Sequence, residues 1–150
     1  MAVSTTLKFL VLNGPNLNLL GTREPEIYGS ETLAQVNDNL QNKFQSSDIV
    51  LRFEQSNSEG QLIEHIQDAM QWANGIIFNP GGYSHSSIAL RDAVSGSNLP
   101  CVEVHLSNIH AREEFRQFSY ISGVAQGVIC GFGKLGYEMA VHALMHKLRN

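Results

Sequence analysis

The sequence has little of what marks secreted, disulfide-stabilised or membrane-spanning proteins. It contains only two cysteines in 150 residues, too few for a disulfide framework, and we interpret Cys101 and Cys130 as buried thiols because both lie in apolar stretches. No apolar run approaches the roughly 20 residues that span a bilayer. The first six residues also lack the basic and apolar regions of a signal peptide. These absences predict a cytoplasmic protein with no membrane partner.

An excess of positive charge is missing as well. Ten Lys and Arg oppose fourteen Asp and Glu, for a formal net charge of -4, and the basic residues are scattered singly rather than clustered as phosphate-backbone binding requires. Nucleic acid is therefore not expected as a partner. Hydrophobic residues make up 43% of the chain, which is enough for a core. We expect residues 1–150 to form a single domain, since this length suits one domain of ordinary size.

Apolar runs alternate with amphipathic segments along the whole chain. The runs predict strands at 8–12, 49–53, 75–78, 101–104 and 124–130, and the spacing of three and four predicts helices at 32–44, 58–73, 86–94 and 135–148. Strands that alternate with helices imply right-handed crossovers and a doubly wound parallel sheet of five strands with helices on both faces. A further helical stretch is predicted at 111–115, and Ser84 and Ser86 are interpreted as helix caps.

The connection between the first strand and the first helix, residues 13–30, is unusually long. Such connections usually take about 2 to 6 residues. In an open parallel sheet, ligands bind beyond the carboxyl ends of the strands, near the point where the strand order reverses. Because the segment leaves the sheet at that edge, we interpret it as a binding-site loop, and Gly21 and Gly29 as candidate hinges that let it close as a lid.

Polar side chains collect at the predicted carboxyl ends of the strands, and all of them are expected to converge on one edge of the sheet. They are bases, acids and anion-binding groups: Asn13, Asn16, Asn79, His85, His105 and Ser107 at the strand ends, Arg23 and Tyr28 in the long loop, and Arg112 and Arg116 beyond the fourth strand. Backbone N–H groups near Ser107 and at the start of the 111–115 helix are expected to hold a carboxylate, which favours an acidic substrate.

Glu103 and His105 alternate along the fourth strand and therefore share one face. On that face the carboxylate would orient and charge the imidazole. A polar pair in the core is the alternative, but a carboxylate at the ligand-binding end of an apolar strand is costly without a purpose. We therefore favour a functional pair.

Tyr28 has two interpretations that the residues alone leave open. A tyrosine phenol acts as a base near neutral pH only where nearby cations stabilise its anion, and the arginines supply such cations. Alternatively, its ring packs on the apolar residues of the loop. Arg112 and Arg116 likewise fit either anion binding or surface ion pairs with neighbours such as Glu113.

Several formal motif matches lack their structural context. Residues 131–136 match G-x-G-x-x-G, but no strand with a ribose-binding acid follows, so dinucleotide binding is not expected. Residues 82–86 are not a nucleophile elbow because the last glycine is missing. The six histidines include no H-E-x-x-H pair, and we expect no metal site.

Blocks along nearly the whole chain resemble the type II 3-dehydroquinate dehydratases. Residues 11–25, VLNGPNLNLLGTREP, are similar to the opening of that family, and NPGGYSH, ALRDA, EVHLSNI and REEFR at 79–85, 89–93, 103–109 and 112–116 resemble its remaining blocks in order. Departures are modest: Gly82 stands where alanine is common, Ser84 and Ser86 replace threonines, and Gln117 and Phe118 occupy a stretch often richer in histidine. None of these changes removes a catalytic group.

The resemblance implies a flavodoxin-like, three-layer α/β/α catalytic domain, assembled as trimers that combine into a homododecamer. It implies dehydration of 3-dehydroquinate to 3-dehydroshikimate by anti elimination through an enolate, in the shikimate or quinate pathway and without a cofactor. The alternative hypothesis is a flavodoxin-like ligand-binding module without dehydratase activity. A module for phosphoryl signalling is disfavoured because it would need magnesium-binding carboxylates where Asn13 and Asn79 stand. A flavin-binding module is disfavoured because it would need a compact phosphate loop after the first strand.

The resemblance also implies residue roles. Tyr28 would be the general base, Arg23 would stabilise its anion, Asn16 would hold a water near the enolate oxygen, and His105, oriented by Glu103, would protonate the departing hydroxyl. The implied substrate-binding residues are Asn79, His85, Leu106, Ser107 and Arg116, with Arg112 close to the tyrosine and Asp92 reaching a neighbouring subunit's site.

Overall fold

The computed structural model describes residues 5–150, so most of the segment inspected for a signal peptide lies outside the described residues. One sheet contains five strands: β1 Leu7–Asn13, β2 Ile49–Gln55, β3 Gly75–Asn79, β4 Cys101–His105 and β5 Gly127–Cys130. The α-helices of this part of the chain are α1 Pro25–Tyr28, α2 Leu33–Phe44, α3 Glu59–Ala69, α4 Ile88–Ser97 and α5 Leu135–Arg149. None of these helices is long and apolar enough to cross a membrane.

All strand pairs are parallel, in the order β2-β1-β3-β4-β5. This order is flavodoxin-like and confirms the predicted fold class. The chain leaves β1 to one side to form β2 and returns to the other side to form β3, so the strand order reverses at β1 and β3. Asn13 pairs with Asn79 in the register of these two strands. The last residues of both strands therefore stand side by side at the reversal point.

Helices cover both faces of the sheet. On one face α2 and α5 pack on a cluster that includes Phe9 and Val11, and on the other α3 and α4 pack on a cluster that includes Leu10 and Leu12. Neighbouring residues of β1 thus alternate between two buried faces, which is why the strand reads as a continuous apolar run. Side chains cap the starts of α2 and α3: Thr32 and Gln35 form a reciprocal capping box, and the Ser58 hydroxyl accepts the Gln61 N–H.

Four predicted elements are wrong in extent or kind, among them α4, which spans Ile88–Ser97 rather than 86–94. β5 begins at Gly127 rather than at residue 124, because residues Ser122–Val124 form a 3-10 turn. α3 ends at Ala69 rather than residue 73, and tight turns over the next residues carry the chain into β3. The helix expected at 111–115 is replaced by two short 3-10 turns, Ile109–Ala111 and Glu114–Arg116. The helix N-terminus expected to hold a carboxylate is therefore absent from this segment.

The serine caps and one cysteine also differ from expectation. α4 is capped by Ser87, whose hydroxyl accepts the Leu90 N–H at 2.9 Å. Ser86 instead ends the preceding 3-10 turn, and the Ser84 hydroxyl donates to the Gly81 carbonyl at 3.0 Å. Cys101 is buried as predicted, whereas Cys130, on the edge strand β5, is only half-buried.

Candidate active site

A cavity of about 220 Å³ lies beyond the carboxyl ends of β1, β3 and β4. Its walls come from the long loop, the turn after β3 and the turns after β4. Ten of the predicted site residues line it: Asn16, Arg23, Tyr28, Asn79, His85, His105, Leu106, Ser107, Arg112 and Arg116. The structure therefore brings together residues from four separate parts of the chain. Glu103 lies beneath the floor of the cavity, where it contacts His105.

Two other predicted residues lie outside the cavity. Asn13 was expected among the converging groups, but it is 1% exposed and its Oδ1 accepts the Tyr137 hydroxyl at 2.5 Å. Asp92 is exposed on α4 and is not part of the cavity lining of this single chain. Asn13 therefore braces the site from below, because Tyr137 in turn accepts the Asn79 Nδ2 at 3.0 Å.

Tyr28 lies between two guanidinium groups. Arg112 Nη1 donates to the Tyr28 hydroxyl oxygen at 2.6 Å, and the same nitrogen donates to Ser107 Oγ at 3.3 Å. The Cζ atoms of Arg112 and Arg23 lie 5.5 and 5.6 Å from the centre of the Tyr28 ring. The ring also packs against the core cluster next to α2. The ring is therefore packed, as one interpretation of Tyr28 predicted, while the hydroxyl oxygen accepts a hydrogen bond from one guanidinium group.

The long loop presents this tyrosine on a single helical turn. α1 begins with Pro25, which suits the first position of a helix. Gly29 follows the helix directly, and its φ of 88° is in the left-handed region that favours glycine. Tyr28 is thus the last helical residue before a glycine-induced change of direction. This placement turns its hydroxyl toward Arg112.

Glu103 and His105 form a short, buried hydrogen bond between Oε2 and Nε2. Two hydroxyls complete the surroundings of the carboxylate: Ser119 Oγ donates to Oε2 at 2.7 Å and Ser122 Oγ donates to Oε1 at 2.6 Å. Burial, the largest single influence, raises the pKa of Glu103. The hydrogen bond and charge of His105, with the two serine hydroxyls, outweigh it and bring the pKa below its usual value. The structure thus places an ionised carboxylate against the His105 ring.

His85 stacks on His105, with ring centres 6.3 Å apart and planes 19° apart. Its Nδ1 lies 2.8 Å from the Phe118 carbonyl oxygen, which can only accept, so Nδ1 carries the proton. Burial lowers the pKa of His85, and the nearby charges of His105 and Arg116 lower it further, against the opposing effect of the Phe118 carbonyl. A neutral His85 therefore presents Nε2 as a hydrogen-bond acceptor.

Two glycines allow the loops around the cavity to approach each other. A Cβ on Gly14 would lie 2.4 Å from the Pro80 carbonyl oxygen, and one on Gly81 would lie 2.9 Å from the Pro15 carbonyl oxygen. Any side chain at Gly14 would push the loop after β1 away from the loop after β3. The close crossing holds Asn16 and Asn79 at the same cavity.

Sequence reasoning missed three groups of supporting residues. Asn57, after β2, accepts the Asn16 N–H at 3.0 Å and so fixes a residue whose φ of 70° is in the left-handed region. Tyr137 links Asn79 to Asn13, and Ser119 with Ser122 surround Glu103. Each is a single polar residue with no characteristic spacing, so no signal in the sequence marked them.

The chemistry of the lining favours a small anionic ligand. Arg23, Arg112 and Arg116 line the cavity, and the remaining polar side chains of the lining are two amides, two imidazoles and the hydroxyls of Tyr28 and Ser107. Guanidinium groups bind carboxylates through paired hydrogen bonds. Within residues 5–150, no three His, Cys, Asp or Glu side chains are grouped so that they would hold a metal ion. The site combines anion binding with a polarised tyrosine and a carboxylate-bound histidine.

Comparisons with known proteins agree with this geometry. The family model described as dehydroquinase class II matches residues 7–145. A 3-dehydroquinate dehydratase of Psychromonas ingrahamii is 54% identical over 144 residues, covering 96% of this chain and 97% of the relative. One from Thioalkalivibrio sulfidiphilus is 55% identical over 140 residues, covering 93% and 95%.

A solved structure indicates the same family as these sequences. The crystal structure of a type II dehydroquinase from Butyrivibrio crossotus superimposes with a TM-score of 0.91 at 44% identity, covering 93% of this chain and 97% of that one. The predicted family is thereby confirmed: the chain belongs to the class II dehydroquinases.

Proposed function

We propose that this chain converts 3-dehydroquinate into 3-dehydroshikimate and water, as a hydro-lyase of the type II 3-dehydroquinate dehydratase kind. The observation that carries the proposal is the pairing of two groups on one cavity. Tyr28 accepts a 2.6 Å hydrogen bond from Arg112, and His105 is hydrogen-bonded to the buried Glu103. Elimination from a β-hydroxy ketone needs a base for the α-proton and an acid for the hydroxide leaving group. These two residues supply them.

The proposed reaction is an anti elimination through an enolate. The Tyr28 phenolate, stabilised by Arg112 and Arg23, takes the proton next to the ketone, and the C–H electron pair moves into the enolate. Asn16 holds a water that hydrogen-bonds to the enolate oxygen. When the enolate collapses, the C–O bond to the β-hydroxyl breaks and His105 protonates the leaving oxygen. One C=C bond forms and one water leaves, after which Tyr28 releases its proton to solvent and His105 takes one up from solvent.

Binding of the substrate follows from the other lining residues. The main chain around Leu106 and Ser107 would hold the carboxylate, while Asn79, Arg116 and the Nε2 acceptor of His85 would hold ring hydroxyls. The neutral state of His85 supports this role, because a neutral imidazole can accept a hydrogen bond from a hydroxyl group and a charged imidazole cannot. The substrate class is thus a small hydroxylated carboxylic acid.

The long loop, residues 13–30, would act as a lid. Gly21 and Gly29 both have positive φ values, 93° and 88°, and they bracket the part of the loop that carries Arg23 and Tyr28. Just beyond the second glycine, Glu31 forms an ion pair with Lys134 at the start of α5. Limited proteolysis with and without a substrate analogue tests the lid, and equal cleavage of the loop in both states would contradict it.

The assembly remains a prediction that belongs to the same proposal. We infer a homododecamer built from trimers, in which each single-domain chain places Asp92 at a neighbour's site. Mixing Asp92→Asn subunits with Tyr28→Phe subunits, each inactive alone, should restore activity because some sites would receive an intact copy of both residues. No recovery after proven subunit exchange would contradict shared sites.

The inferred setting is the cytoplasmic shikimate or quinate pathway, and growth of a dehydratase-deficient strain tests it.

The deciding experiment follows ultraviolet absorbance while purified protein meets 3-dehydroquinate in the presence of a chelator and with no added cofactor. The conjugated enone of the product absorbs, whereas the isolated ketone of the substrate does not. Tyr28→Phe should lose turnover but still bind substrate. Tyr120→Phe, which changes a tyrosine outside the cavity lining, should retain it. Absence of turnover by the unaltered protein would overturn the proposal.

A further inference from the structure

Residues 118–122, which we call the serine segment, pass beneath the cavity and contact His85 and Glu103. The Phe118 carbonyl accepts from His85 Nδ1, and the Ser119 and Ser122 hydroxyls donate to opposite oxygens of Glu103. Glu103 is completely buried, so water does not solvate its carboxylate. Outside its bond to His105, the hydrogen bonds that this carboxylate accepts come from the serine segment.

The serine segment is fixed independently of the carboxylate. Ile121 is fully buried in the core cluster next to α3 and α4. The Tyr120 N–H donates to the Ser84 carbonyl at 2.7 Å, and Arg91 Nη1 donates to the Tyr120 carbonyl at 2.8 Å. The two serines are therefore delivered by an anchored backbone and do not depend on Glu103 for their position.

The hydroxyl of Ser119 is also oriented. Its oxygen accepts the Ile121 N–H at 3.1 Å, which leaves its proton to point at Glu103. A hydroxyl donor stabilises the ionised form of a carboxylate and has no such effect on a protonated oxygen. An arrangement of two directed donors thus selects one protonation state of Glu103.

We propose that Ser119 and Ser122 are positioning residues whose hydroxyls keep Glu103 ionised, so that His105 holds the proton that it delivers to the leaving group. This inference rests on the proposed function, in which His105 is the acid. The serines touch neither substrate nor reacting atoms, and they act through Glu103 alone. Their loss should therefore change the pH dependence of the reaction more than its rate at the optimum.

Other charged or titratable groups interact with the same pair, and none replaces the hydroxyls. Cys101 lies on the same strand, and burial raises the pKa of its thiol, so it stays neutral. His85 stacks on His105 and is neutral because burial lowers its pKa. Arg116 lines the cavity and acts on His85 through its charge. Removing the serines leaves a buried carboxylate whose remaining partner is His105.

The test compares pH–rate profiles of Ser119→Ala and Ser122→Ala with that of the unaltered protein. A hydrogen bond to a charged group is worth roughly one pKa unit, so the acidic limb should move to higher pH by about one unit for each hydroxyl removed. Ser119→Thr and Ser122→Thr keep a hydroxyl and should restore the limb. Ser97→Ala serves as the control, because Ser97 is a buried serine whose hydroxyl donates to the Val94 carbonyl, away from the cavity.

A second measurement is independent of turnover. Infrared difference spectra recorded against pH show the C=O stretch of a protonated carboxyl, and the band absent from Glu103→Gln belongs to Glu103. This band should appear at higher pH in each alanine variant than in the unaltered protein. A uniform loss of activity at every pH, with the band unmoved, would overturn the proposal and leave the serines a structural role.

The two proposals fail in different ways. If the unaltered protein does not turn over 3-dehydroquinate, the function fails, while the infrared titration still decides whether the hydroxyls hold Glu103 ionised. If turnover is normal but neither the acidic limb of the pH–rate profile nor the infrared band of Glu103 moves in the alanine variants, the inference about the serines fails and the proposed function stands. Should one alanine variant not fold, the other alanine variant and its threonine counterpart give the same comparison.

Discussion

Replacing Arg112 with alanine should weaken the base without dismantling the site. Arg112 Nη1 donates to the Tyr28 oxygen at 2.6 Å, and the arginine side chain is only 15% exposed, so solvent screens the interaction weakly. The substitution removes this donor and one of the two guanidinium groups near the ring. Arg23, whose Cζ is 5.6 Å from the ring centre, remains. We therefore expect a reduced population of phenolate rather than its complete loss.

The size of the effect follows from the geometry. A hydrogen bond to a charged group contributes about 1.5–3 kcal/mol. At about 1.4 kcal/mol for each tenfold change in rate, kcat at neutral pH should fall by about 10-fold to 150-fold. KM should rise as well, because the same nitrogen lies 3.3 Å from Ser107 Oγ at the substrate-binding wall. Arg112→Lys keeps the charge but loses the planar guanidinium group, so its kcat should lie between those of Arg112→Ala and the unaltered protein.

The assay is the absorbance of the product enone at neutral pH. Arg52→Ala is the matched control, since Arg52 stacks on the Trp72 ring at 4.2 Å and is not part of the cavity lining. A kcat of Arg112→Ala equal to that of the unaltered protein, or a deficit equal to that of Arg52→Ala, would refute the reasoning about the base.

The remaining predictions concern the supports of the site. Gly14→Ala should lower the midpoint of thermal unfolding, because its Cβ would lie 2.4 Å from the Pro80 carbonyl oxygen and the backbone must shift at about 1–3 kcal/mol; an unchanged midpoint would contradict this. Tyr137→Phe should raise KM more than it lowers kcat, since Asn79 loses a 3.0 Å partner, and steady-state kinetics would contradict it by showing the reverse. Burial raises the pKa of Glu103, but its hydrogen-bond donors together bring it below the usual value near 4.3. Its stabilising contribution is then complete above about pH 5 and declines as the pH falls through the usual value to the lower folded-state pKa. The stability advantage of the unaltered protein over Glu103→Gln in denaturant should shrink in acid, and a constant difference would count against ionised Glu103.

The strands could be predicted from the sequence because a strand that is buried on both faces appears as a continuous apolar run. The run 8–12 lies inside β1, whose residues pack on two core clusters. The start of β5 was wrong for a related reason. Val124 is apolar and packs against the core from a 3-10 turn, so apolar character alone did not separate a buried turn from an edge strand.

The partners of the site residues were harder to predict because they depend on contacts distant in sequence. Tyr28 and Arg112 are 84 residues apart, and Tyr137 and Asn13 are 124 apart. No local pattern records such a pair. By contrast, Glu103 and His105 are two residues apart on one strand, and the strand period alone predicted that they share a face. Local geometry can be read from spacing, whereas contacts made by loops require the folded chain.

The placement of the two proposed catalytic groups follows from what each must do. His105 ends a central strand, and its partner Glu103 is buried and held by an anchored segment, so the acid stays rigid and its proton stays in place. Tyr28 sits on one helical turn between two glycines with positive φ, so the proposed base lies in the loop that we propose as a lid. Arg23 belongs to the same loop and would move with the tyrosine, whereas Arg112 follows β4 and donates to the Tyr28 oxygen from outside the loop. The proposed closure would therefore bring Tyr28 to its second cation, Arg112, and would tie base strength to the closed site.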